Sequence, residues 1–70
     1  MNTTIRVRVN GVDRSLTAEA SLADAVATVV AVPQGVAAAL NGEVVPRRSW
    51  PATAVADGDA VEVVTAVQGG

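Results

Sequence analysis

The chain has 70 residues, half of them apolar, a formal net charge of −2, and no Cys, His, Lys, Tyr or Phe. This length supports one small domain with a core of aliphatic side chains, because disulfide and His/Cys metal staples are both missing. Most of the usual catalytic nucleophiles and bases are missing too. The five basic residues, all Arg, are scattered and have no Phe or Tyr platforms beside them, so nucleic-acid binding has no support. Charged residues, Pro or Gly interrupt every apolar run well short of a membrane span. The N-terminus, Asn2-Thr3-Thr4 followed by alternating Ile and Arg, does not read as a signal peptide, and the cytoplasm is the expected compartment.

Ile5 to Asn10 alternates strictly, which predicts a half-buried strand with Ile5, Val7 and Val9 inward and Arg6 and Arg8 outward. Asn10-Gly11 is a strong two-residue hairpin signal, because both residues tolerate positive φ. Val12 to Thr17 is then the return strand. Pairing Val9 with Val12 puts Val12, Arg14 and Leu16 on the core face, where Arg14 does not belong. Either Arg14 lies at a sheet edge and snorkels, or a bulge or longer loop shifts the register. Ser21 opens a helix, with Asp24 completing a capping-box pattern. Leu22, Val26, Val29 and Val30 fall on one helical face, and Pro33 and Gly35 are expected to end the helix.

The apolar run Val36 to Leu40 predicts an interior strand. Asn41-Gly42 predicts a second hairpin turn into Glu43-Val44-Val45, and Pro46 ends that ladder by removing a donor. Arg47 to Pro51 is irregular, with room for one helical turn. Asp57-Gly58-Asp59 is a turn, and Val61 to Ala66 is the last strand. One helix must then cover one face of a mixed sheet of four or five strands. The simplest arrangement places the last strand in the middle, parallel to the first. That is an α+β chain of β-grasp, or ubiquitin-like, architecture: a domain over residues 1–66 and a flexible C-terminal tail over 67–70.

Asp57 and Asp59 flank a glycine as in some calcium loops, but the ligand spacing of such a loop is missing, which favours an Asp-Gly turn. Arg47 and Arg48 read as a solvated loop rather than a site for an acidic partner, and Trp50 as a lid over one end of the core. Val64 points away from Val61 and Val63. With Ala66 and Val67 it forms an apolar strip leading into Gln68-Gly69-Gly70. The strip is either a partner surface or is covered by a tail that folds back.

The order and spacing of these motifs resemble the ThiS family, the sulfur carriers of thiamine thiazole biosynthesis. The resemblance rests on Val9-Asn10-Gly11, on Leu40-Asn41-Gly42-Glu43-Val44-Val45-Pro46-Arg47 with Trp50 following, on Asp57-Gly58-Asp59, and on the Gln68-Gly69-Gly70 end. Arg14, and a helix rich in Ala and Val where the family often has Leu, depart from the pattern. The resemblance implies a carrier rather than an enzyme. In that family the terminal carboxylate, here that of Gly70, is adenylated by an E1-like adenylyltransferase using MgATP. It becomes a thiocarboxylate by way of a sulfur donor protein and delivers sulfur to thiazole synthase. No cofactor is expected on the chain itself. Gly69 gives access, and Val64, Ala66, Val67 and Gln68 would meet the partner. Other carriers of the same fold (a molybdopterin synthase small subunit or a cysteine-biosynthesis carrier), a ubiquitin-like tag and a plain interaction module are the competing readings.

Overall fold

The computed structural model describes residues 3–31 and 35–65. Strands β1 (Thr4–Val9) and β2 (Val12–Thr17) form the first hairpin, followed by helix α1 (Leu22–Ala27). Strands β3 (Val36–Leu40) and β4 (Glu43–Val45) form the second hairpin. A 3-10 helix (Arg47–Ala52) then leads toward β5 (Ala60–Thr65). The five strands make one sheet in the order β2-β1-β5-β3-β4. β5 runs parallel to β1 and antiparallel to β3, so it is the central strand that joins two otherwise separate hairpins. This is the β-grasp arrangement that the order of motifs predicts.

Both hairpins turn on Asn-Gly for the same physical reason. Asn10 and Asn41 sit at φ 52, and Gly11 and Gly42 at φ 82 and 87. Positive φ at both central positions is what a type I′ turn needs to follow the twist of its strands. The resulting registers are Val9↔Val12 and Leu40↔Glu43. They settle the position of Arg14. The β1–β2 ladder is unbroken, with Val7 opposite Arg14, so there is no bulge and Arg14 lies on the core side of an edge strand. The residue is half-buried, and its Nε is enclosed without a hydrogen-bond partner among the described residues.

The Ser21 capping box forms completely. Ser21 Oγ accepts from the Asp24 N–H at 3.3 Å, and Asp24 Oδ2 accepts from the Ser21 N–H at 2.9 Å. The helix itself is shorter than its apolar periodicity predicts. It ends at Thr28, well before Pro33, which lies outside the described residues. Thr28 begins a β-branched run with Val29 and Val30, which disfavours helix, and its Oγ1 donates to the Ala25 carbonyl at 2.7 Å. Val29 and Val30 nevertheless pack against the core from the following turn.

The core lies between α1 and one face of the sheet. Leu22, Val7, Val9, Val26 and Val61 are its fully buried centre, joined by Ala20, Ala25, Ala38, Trp50, Val55 and Val63. Trp50 closes one end of the core, and its Nε1 donates to the Val45 carbonyl at 2.8 Å, so the indole N–H is satisfied although the ring is buried. The connection into β5 is tied down as well. The Leu22 N–H donates to the Thr53 carbonyl at 2.7 Å and the Val55 N–H to the Ala20 carbonyl at 3.2 Å, which seats Val55 in the core.

Candidate functional site

The helix covers one face of the sheet and leaves the other open. Because side chains alternate along a strand, Val61 and Val63 of β5 turn into the core while Glu62 and Val64 turn out. Val64 is 62% exposed. Its cross-strand neighbour is Ala37, also exposed; two residues along β3, Ala39 stands between Glu62 and Val44. Val44 is 71% exposed. Val64, Ala37, Ala39 and Val44 therefore form an apolar patch on the β5-β3-β4 half of the open face. The β1-β2 half is polar. There Arg6 and Arg8 stand beside Asp13, with Arg8 Nε donating to Asp13 Oδ1 at 3.4 Å in a pair exposed to water. Val64, the first position of the predicted strip, thus points away from Val61 and Val63 as strand alternation requires. Ala66, Val67, Gln68, Gly69 and Gly70 lie outside the described residues. Val44 was not singled out from the sequence, although the signal was there: a two-residue loop at Asn41-Gly42 forces Val44 opposite Ala39.

The other candidates resolve into structure. Asp57 Oδ1 accepts from the Arg6 N–H at 2.8 Å, and Asp59 Oδ2 accepts from the Ala56 N–H at 2.8 Å, with Gly58 at φ 91 between them. The carboxylates build the turn that feeds β5 into the sheet. Among the described residues no three metal-ligating side chains come together. Arg47 and Arg48 are exposed, and neither enters an ion pair among the described residues. Among the described residues no helix is long and apolar enough to cross a membrane.

The two turn asparagines do more than shape their turns. The Asn41 side chain accepts from the Ala60 N–H at 2.9 Å through Oδ1 and donates to Asp59 Oδ1 at 3.1 Å through Nδ2, bracing the start of β5. The Asn10 side chain accepts from the Val63 N–H at 2.7 Å and donates to the Val63 carbonyl at 3.1 Å, gripping the strand past its middle. Each hairpin tip thus holds the strand that leads toward the tail at its own point. Sequence patterning shows the turns but not these bonds, since the Asn10 bonds join residues 53 positions apart.

The family model for ThiS matches residues 7–70, through the final glycine. The chain belongs to the ThiS family. A solved ThiS structure agrees. The crystal structure of a thiamine biosynthesis protein (ThiS) from Geobacter metallireducens is 33% identical, with a TM-score of 0.77, covering 94% of this chain and 100% of that chain. No curated protein sequence matches the chain. The ThiS match spans both Asn-Gly turns, the 3-10 segment and the Gly-Gly end, all on the β-grasp frame described above.

Proposed function

We propose that this chain is a sulfur carrier of thiamine biosynthesis whose reacting group is the carboxylate of Gly70. The observation that carries the reading is the ThiS match extending through Gly70, on a fold whose central strand ends beside an exposed apolar patch. A terminal carboxylate is ionised at neutral pH. One of its oxygens attacks the α-phosphorus of ATP held with magnesium by an E1-like adenylyltransferase, an acyl–AMP anhydride forms, and pyrophosphate leaves. Sulfide-level sulfur released from a donor protein then attacks the acyl carbon as AMP departs, and the resulting thiocarboxylate donates sulfur to thiazole synthase. Adenylation is the necessary step because a bare carboxylate has no good leaving group.

The chain's own part is placement. Gly69 and Gly70 carry no Cβ, so the end of the chain fits a narrow channel and lets backbone donors approach closely. Residues 67–70, fully extended, reach roughly 13–14 Å. Val64 and the residues after it, Ala66, Val67 and Gln68, form the contact with the partner, and the magnesium, nucleotide and catalytic groups belong to that partner. The carrier is not itself an enzyme, and the reading places it in the cytoplasm. Incubation with a cognate activating enzyme, MgATP and a sulfur donor, followed by intact-mass measurement, is expected to show oxygen replaced by sulfur at Gly70. Deleting Gly70 is expected to abolish that exchange while leaving the circular-dichroism spectrum and melting transition unchanged. Sulfur appearing on the deletion variant, or none on the full chain, overturns the reading.

A further inference from the structure

The two flanks of β5 are not held in the same way. On the β3 side the ladder continues to the end of the strand, with Val36 opposite Thr65. On the β1 side the register stops at Val9↔Val61, because the first hairpin turns back at Asn10. The Asn10 N–H still donates to the Val61 carbonyl at 2.9 Å. Beyond that point the backbone of β1 has left, and the Asn10 carboxamide takes its place. A carboxamide offers one acceptor and one donor in the same sense as a peptide group, and both are used on the same residue: Oδ1 accepts from the Val63 N–H and Nδ2 donates to the Val63 carbonyl. The side chain thus adds one rung to the parallel ladder, one residue before the exposed Val64.

The turn alone does not require this residue. Gly occupies positive φ freely, and Asp tolerates it. Asp, however, would set a carboxylate oxygen against the Val63 carbonyl, and Gly would offer no side chain at all. We infer that Asn10 is a positioning residue for the transfer reaction: by gripping Val63 it holds β5 to the first hairpin one rung past the end of the backbone ladder, and so keeps the strand beside Val64 in the place from which the activating partner takes up the chain. This inference rests on the sulfur-carrier reading. It assigns the placement to a side chain at the opposite end of the sequence from the reacting group. Docking through the open face and delivery of the carboxylate are two contacts of one substrate. A small misplacement of a reacting group lowers the rate far more than it lowers binding.

The test compares Asn10→Gly with Asn41→Gly. Both substitutions keep the turn geometry and remove two side-chain hydrogen bonds, one pair at Val63 in the tail-proximal half of β5 and one at Asp59 and Ala60 where the strand begins. Two bonds of ordinary net strength correspond to roughly a 5- to 30-fold change in a local opening equilibrium. In Asn10→Gly the Val63 amide is expected to exchange with solvent faster by about that factor. With the activating enzyme and MgATP, kcat for pyrophosphate release is expected to fall about tenfold, with KM for the carrier within about twofold of the unaltered chain. Asn41→Gly is expected to lose comparable thermal stability and keep its kcat. Equal kcat for Asn10→Gly and the unaltered chain, or equal losses in the two variants, overturns the inference. A measurement on the unaltered chain stands apart from any folding defect: its Val63 amide is expected to be protected like that of Val61, and exchange at an exposed-loop rate overturns the grip. If the unaltered chain releases no pyrophosphate at all, the sulfur-carrier reading fails first, and protection at Val63 then still reports on the grip.

Discussion

On the face turned to α1, strands β1, β3 and β5 bury Val7, Val9, Ala38, Val61 and Val63; on the reverse face the same strands put Arg6, Arg8, Ala37, Glu62 and Val64 into solvent. The first set lies under the helix and Trp50 in the core. The second lies under nothing in the described chain, and yet it is not uniformly polar. Val64 and Val44 stay exposed on the half of the sheet nearest the exit of β5, while the half around β1 and β2 carries the Arg8–Asp13 pair. A small protein that needs every apolar residue for its core leaves some outside it. The division separates residues that make the fold from residues free to meet a partner.

Substitutions on the two faces can break or sharpen that division. The largest loss is expected for Trp50→Ala, which removes the lid and leaves the Val45 carbonyl without its indole donor; truncations of this kind cost about 3–5 kcal/mol, a large part of the stability of a domain this size, and urea denaturation would read it directly. Ser21→Ala, which removes the hydroxyl half of the capping box, is expected to cost about 1 kcal/mol by the same measurement. Val64→Thr keeps the β-branch and the strand, and its change in stability is expected to stay within about 0.5 kcal/mol. Its effect should appear instead in association with the activating partner, weakened about fivefold or more if Val64 is one of the main contacts. A Val64→Thr variant that lost stability as Trp50→Ala does would mean that the open face also serves the fold, and the division would fail.

Much of the frame is legible from local chemistry. Asn-Gly gives both hairpins, although Arg14 leaves the register of the first open until the ladder is seen, and the single helix with a final Val-rich strand gives the topology. Three features are less accessible. The helix stops at Thr28 although apolar spacing continues through Val30, because side-chain burial and backbone hydrogen bonding need not end at the same residue. Arg14 reads as misplaced in any register that buries Leu16, and only the unbroken ladder shows that it stays on the core side of an edge strand. Val55 is buried from a loop that has no periodicity to betray it, held by a backbone bond to Ala20. At the candidate site, the exposure of Val64 follows from strand alternation, and that of Val44 follows from the turn that precedes it. The grip of Asn10 on Val63 follows from neither, because a side chain's distant partner leaves no trace in its neighbours. The strip beyond Val64 and the Gly-Gly end lie outside the described residues.

The position of β5 between the hairpins also sets the order in which the molecule can assemble. Each hairpin is local and closes within microseconds, but no ladder connects one hairpin to the other until β5 arrives. Joining β1 to β5 closes a loop of some fifty residues, an entropic cost met before the new contacts return anything, so refolding is expected to be slow for so short a chain. Until then the inner edges of β1 and β3 stand unpaired and can template association with other chains. The strand that leads to the tail is therefore also the keystone of the sheet. During synthesis it emerges after both hairpins, and the tail that follows it joins a finished platform only once that strand has been captured.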